Sequence, residues 1–276
     1  MTSLAVGRSA DSHAADGIPA GRSRSLFRWN IALAALHGLQ FVVMLILSLA
    51  QDPMASWPIV SSYLTFDPAT RELVPATRTL FELPMGPAVA SFFAMSAVAH
   101  LIVALPARGW YERRLARQQN PARWIEYAFS SSVMIVVIAM LTGIRELGTL
   151  IAIVGANAAM NLFGWSMEAA NEGRDRPQWL HYIFGCVAGA IPWVVISAAL
   201  LTGLTAADAA PIPGFVIAIY VSLFISFNIF ALNMVFQFRR LGRWRDYLYG
   251  ERAYMFLSLF AKTLLAWQVW SGTLRP

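Results

Sequence analysis

A chain of 276 residues that is 58% hydrophobic and only 13% charged, with a mean hydropathy of +0.55, carries more apolar side chain than a water-soluble domain would, so a bilayer is its expected solvent. The formal charge of +6 does not point to nucleic acid, because the arginines flank apolar runs and form no basic stripe interleaved with exposed aromatics. One cysteine, Cys186, excludes an intrachain disulfide and any CxxC or Cys/His metal spacing.

In chain order, residues 1–27 are rich in Ala, Ser, Gly, Asp and Arg and lack a central apolar region. They read as a disordered cytoplasmic tail, with no cleavable signal peptide. Residues 28–273 form one membrane domain. A hydrocarbon core of about 30 Å needs roughly 20 mostly apolar residues per helix, and seven stretches meet that need: 28–50, 85–107, 121–143, 147–170, 178–203, 213–238 and 250–273. Between the first two, residues 51–84 are polar with apolar patches. Ile59 to Phe66 and Arg71 to Val74 flank Asp67-Pro68-Ala69-Thr70, which predicts a short β-hairpin. Asn120-Pro121 reads as the N-cap and first residue of the third span, and Pro177, Pro211 and Pro213 punctuate later loops. The expected fold is all-α, a seven-helix membrane bundle with one small hairpin. No internal repeat supports an inverted-repeat transporter.

Sixteen arginines fall in one set of loops and termini and four in the opposite set. Positive charge is retained on the cytoplasmic side, which places the N-terminus in the cytoplasm, the hairpin outside and the C-terminus outside.

The chain has twenty arginines and a single lysine, Lys262, in the middle of the seventh span. A lysine at the bilayer centre costs about 2.5–3.5 kcal/mol on insertion scales. A plain positive charge could have been arginine, as everywhere else here; lysine adds a primary amine able to form a Schiff base with a carbonyl cofactor. The other reading is a structural lysine paired with an acid. Among the acids only Glu126 falls clearly inside a span, about 9 Å into the third, at a depth that Lys262 can reach. His37, His100 and Ser96 lie at similar depth on the first two spans. Ser258 precedes Lys262 by four residues and Ser130 follows Glu126 by four, so each shares a helix face with the group it would hydrogen-bond. Mid-depth candidates for a cofactor pocket are Ser131, Met134 and Ile138 on the third span, Asn157 and Met160 on the fourth, Trp193 on the fifth, and Phe227 and Phe230 on the sixth.

Three stretches, Ser258-Leu-Phe-Ala-Lys262-Thr-Leu-Leu-Ala-Trp267-Gln268, Arg123-Trp-Ile-Glu126-Tyr-Ala-Phe-Ser-Ser131 and Phe227-Asn228-Ile-Phe-Ala-Leu-Asn233-Met234, together with the inverted topology, are similar to heliorhodopsins. The resemblance covers residues 28–273. It implies a rhodopsin-like bundle in which Lys262 carries all-trans retinal, Glu126 is the counterion and Ser258 lies beside the Schiff base. It further implies that His37, His100 and Ser96 form a polar cluster that takes up the released proton, and that the 51–84 loop contributes to a homodimer. The expected function is light sensing with a slow photocycle and a signal to a cytoplasmic partner, without proton pumping, since no acid in the outer half of the spans offers an exit. Two other readings remain at this point: a light-driven or light-gated ion transporter, and a polytopic subunit without chromophore. No nucleophile elbow, paired carboxylates, metal cluster or phosphate loop points to an enzyme.

Overall fold

The computed structural model describes residues 17–51, 53–208 and 210–274; Arg8, Arg275 and residues 1–16 of the expected tail lie outside them. Eight α-helices and two β-strands follow one another among the described residues: α1 (Ala20–Leu49), β1 (Ser56–Asp67), β2 (Glu72–Pro84), α2 (Met85–Ala104), α3 (Arg108–Ala116), α4 (Pro121–Leu141), α5 (Leu147–Ala170), α6 (Leu180–Thr205), α7 (Gly214–Phe238) and α8 (Tyr247–Val269). Six helices among the described residues are long and apolar enough to cross a membrane. The seventh long helix, α8, carries Glu251, Arg252 and Lys262 and is less apolar, yet its Lys262 and Glu251 are buried.

The helix starts follow local chemistry. The Asn120 side chain accepts from the Arg123 backbone N–H at 3.1 Å with Pro121 at the first position of α4, and the Asp246 side chain accepts from Leu248 N–H at 3.1 Å to open α8. Glu146 does the same for α5 by accepting from Thr149 N–H at 2.6 Å. Pro84 and Pro213 stand before α2 and α7.

Most span boundaries shift by a few residues from the sequence reading, and two of the differences add structure that it did not expect. Helix α1 begins at Ala20, eight residues before the expected 28 and inside the stretch read as a disordered tail. Its first turns are held by the rest of the bundle: Ser23 donates to Glu112 at 2.6 Å, and Arg22 pairs with Asp246. The second span stops at Ala104, and the connection after it folds into α3, whose Tyr111 and Leu115 are buried. A nine-residue helix with two buried anchors among its charges has too little apolar periodicity to stand out in sequence.

The hairpin is longer than expected. Its strands pair antiparallel from Ser56↔Pro84 to Asp67↔Glu72, with an irregularity between Ile59 and Val60. Arg71 belongs to the turn, with φ +57, and donates its N–H to Asp67 O at 2.8 Å. The hairpin base is tied to the α4–α5 connection by Val60 N–H donating to Arg145 O at 3.0 Å and by the Arg145 guanidinium over the Trp57 ring.

Neighbours around the bundle run α1, α2, α4, α5, α6, then α7, α8 and back to α1. Helices α6 and α7 meet through side chains: Trp193 packs edge-on against Phe224 and Phe227, and Ser197 lies 2.7 Å from the Tyr220 hydroxyl. The largest core cluster fills the half of the bundle near the hairpin and includes Phe92, Phe93, Ile135, Ile196 and Leu223. The arginine-rich loops gather at the opposite end, where Ser23, Arg108, Gln119, Glu172 and Asp246 link α1, α3, α5 and α8.

Candidate functional site

Lys262 is 2% exposed on α8, one turn after Ser258. Its Nζ donates to Ser258 Oγ at 2.8 Å and to Glu126 Oε1 on α4 at 3.1 Å, and lies 5.3 Å from the centre of the Tyr127 ring. Ser96 of α2 adds a hydroxyl 2.6 Å from the same Glu126 oxygen. A buried ammonium is tolerable only when its charge is matched and its donors are used, and these contacts supply both.

The other expected polar groups assemble unevenly. His37 of α1 and His100 of α2 stack with ring centres 5.7 Å apart. The Nδ1 of His100 lies 2.8 Å from Asn30 Oδ1, while both ring nitrogens of the fully buried His37 have no hydrogen-bond partner. Asn30 Nδ2 is committed to Leu26 O at 3.0 Å, so Asn30 Oδ1 faces His100 as acceptor and the imidazole proton sits on Nδ1. Ser130, expected to bond Glu126, is buried one turn after it, and its hydroxyl makes no hydrogen bond among the described residues.

Lys262 forms the floor of a cavity with about 810 Å³ of empty space, its mouth included, within the size range of ligand pockets. Ser131, Met134, Met160, Phe227 and Phe230 line it together with Ser258. Ile138, Asn157 and Trp193 do not. Ile138 lies in the core cluster and Trp193 packs behind Phe227. Asn157 stands behind the wall, donating to Ser131 Oγ at 2.8 Å and Ser132 Oγ at 3.0 Å. The sequence reading missed Trp124, Tyr127, Gly164, Tyr182 and Gly185 on this wall. The 124, 127, 131, 134 spacing on α4 is one helical face and was the available signal.

The cavity fits a long apolar group bearing one carbonyl. Its walls are apolar and aromatic, its only amine is Lys262, and two glycines keep it open. A Cβ at Gly164 would collide with the six-membered ring of Trp124, and one at Gly185 would lie 3.3 Å from Phe163 Cβ. A second, more polar cavity of about 420 Å³ lies on the arginine-rich side of Lys262, lined by His100, Asn30, Glu126, Arg123 and Glu251 among others.

Beyond it lies a cluster that the sequence reading did not foresee. Arg123, counted among the loop arginines, is buried in α4 between Glu168 of α5, at 2.5 Å, and Glu251 of α8, with Trp124 and Tyr254 rings on its faces. Glu126 is therefore not the only acid inside the bundle. Six donor contacts serve the two carboxylates, from Arg123, Asn120, Trp124 and Tyr247.

Comparison with curated proteins finds no match. The heliorhodopsin family matches residues 26–274, nearly the whole chain. With seven long helices, a lysine at the floor of an apolar cavity and this match, the chain belongs to the heliorhodopsin family, and so to the retinal-binding, light-sensing membrane proteins.

Proposed function

We propose that the chain is a cell-membrane light sensor in which Lys262 holds all-trans retinal through a protonated Schiff base with Glu126 as counterion, and in which illumination starts a slow photocycle read by a cytoplasmic partner. The observation that carries this reading is the position of Lys262 Nζ, buried at the cavity floor and 3.1 Å from Glu126. When bound, retinal supplies visible absorption and light-driven isomerisation.

The chain's own residues do the rest. The Glu126 carboxylate stabilises positive charge on the Lys262 nitrogen, and Ser96 fixes the carboxylate from the other side. Ser258 orients the nitrogen from within α8. Glu126 is also one resting place for a proton leaving that nitrogen; His100, with Nδ1 facing Asn30, offers Nε2 as the next, and the stacked His37 continues the cluster.

The N-terminus is cytoplasmic in this reading, because the arginine-rich end of the bundle is the end retained inside. The opposite half of the helices contains no Asp or Glu among the described residues. Its polar contacts are separate pairs, such as Thr263 with Gln40 and Ser222 with Gln268, so no exit relay for pumped protons is built. The ion-transporter reading has no continuous polar path in its favour.

The test is the visible spectrum of the purified chain supplied with all-trans retinal, beside Lys262→Ala and Glu126→Gln. A band lost in Lys262→Ala and displaced in Glu126→Gln is expected. A folded wild type that stays colourless overturns the proposal. A sustained, uncoupler-sensitive pH change in illuminated cells would overturn the non-pumping part alone.

A further inference from the structure

We infer that the connection between α7 and α8 is a binding site for one anionic phospholipid, with its phosphate on an arginine cluster and its acyl chains along α7. Residues 239–246 read Arg-Arg-Leu-Gly-Arg-Trp-Arg-Asp. Arg239, Arg240, Arg243 and Arg245 are all exposed, and none makes a salt bridge among the described residues. The one acid of the segment, Asp246, is occupied by Arg22. The cluster therefore presents uncompensated positive charge.

The segment is held in place. Trp244 Nε1 donates to Asn233 Oδ1 at 2.7 Å, and Asn233 in turn donates to Gly250 O at 3.2 Å, tying the connection to both helices. Arg243 lies over the Tyr249 ring at 4.6 Å. Positive φ at Arg240 and Gly242 folds the chain back tightly, so the guanidinium groups stay close to the end of α7. An ordered cluster binds an anion with less loss of side-chain freedom than a flexible tail.

The helix supplies the second half of the site. Val221, Ile225, Ile229 and Leu232 are exposed on α7, and their spacing of three or four residues makes one stripe. Arg239 follows Leu232 by two helical turns at the end of that stripe. Apolar chain below and guanidinium above is the complement of a phospholipid with a net negative head, and arginine clusters directly beside a membrane helix attract such heads. A zwitterionic lipid brings its own cation and gains less. This inference depends on the chain crossing a bilayer and not on the retinal reading.

The experiment is the melting temperature of the detergent-purified full chain, titrated with phosphatidylglycerol, phosphatidylcholine, inorganic phosphate or polyglutamate. It compares wild type, Arg239→Gln/Arg240→Gln/Arg243→Gln, and a control, Arg113→Gln/Arg174→Gln/Arg176→Gln, that removes equal charge elsewhere at the same end. A rise specific to phosphatidylglycerol is expected in wild type and control. At about fivefold in affinity per arginine, the triple substitution moves the midpoint of that titration about a hundredfold higher in lipid. An unchanged midpoint in that variant, or an equal loss in the control, overturns the site. An equal rise with phosphate alone makes it a free-anion site, and a larger one with polyglutamate makes it a protein surface; both overturn the lipid. If the variant does not fold, salt decides: a wild-type rise that survives high salt overturns the electrostatic site.

Discussion

Lys262 and Arg123 are both buried cations, and their surroundings give them different work. Lys262 meets one carboxylate and opens on a large apolar cavity, so its amine is placed where a ligand can reach it. Arg123 is enclosed by two carboxylates and two aromatic faces, with the side chains of Arg123, Glu168 and Glu251 at 5%, 1% and 1% exposure. Removing one partner from such a cluster strands the other charges out of water, which costs about 3–5 kcal/mol. Arg123→Gln is therefore expected to lower the melting temperature strongly. Replacing all three residues by apolar ones of similar volume should cost less, because no charge is then left unmatched. A single substitution that melts like wild type would show that the cluster holds little of the stability.

At the scale of elements, side-chain caps mark the starts of α4, α5 and α8. Glu146 is half-buried between α4 and α5, and the backbone N–H groups of Thr149 and then Gly148 hold its carboxyl below the ordinary carboxylate range. A depressed carboxyl contributes its stabilisation above the ordinary range and loses it as pH falls through the lowered value. Wild type should therefore lose some thermal stability on acidification through that window. Glu146→Ala should melt lower at neutral pH and lack that part of the acid loss, as read by melting curves at several pH values. The effect is small, because the cap lies at the edge of the bundle, where water screens its charge. The same reasoning explains which starts were legible: Asn120-Pro121 announces α4 in sequence, whereas α1 has no side-chain cap at Pro19 and begins where contacts with α3 and Asp246 allow it.

At the scale of the whole molecule, the hairpin is an arm tied to the bundle near its base. Tyr63, Leu64, Phe66 and Leu73 are each more than half exposed on it, and the homodimer proposed from the family resemblance would cover them. Fully burying such side chains is worth about 1.5–3 kcal/mol each. Tyr63→Ser/Phe66→Ser/Leu73→Ser should shift a dimer to monomer in analytical ultracentrifugation while leaving the visible band in place. A dimer that persists unchanged places the contact elsewhere.

Composition, span length and arginine placement determined that this chain enters a bilayer as seven helices with a lysine in the last. Those properties follow from transfer energies and helix rise, which act along the chain and need no partner. The chemical singularity of Lys262 was equally local, since one primary amine among twenty arginines is visible in a single line of sequence. Which carboxylates meet which cations was not local. Glu126 alone read as an acid clearly inside a span, yet Glu168 is buried as well: one faces Lys262 across 3.1 Å and the other closes on Arg123. The cavity wall likewise mixes residues expected there with Trp124, Tyr127 and Tyr182, while Ile138 and Trp193 turn into the packing. Depth in the membrane is set by sequence position, but the direction in which a side chain points around its helix is settled by rotation against neighbouring helices, and only tertiary packing fixes that angle.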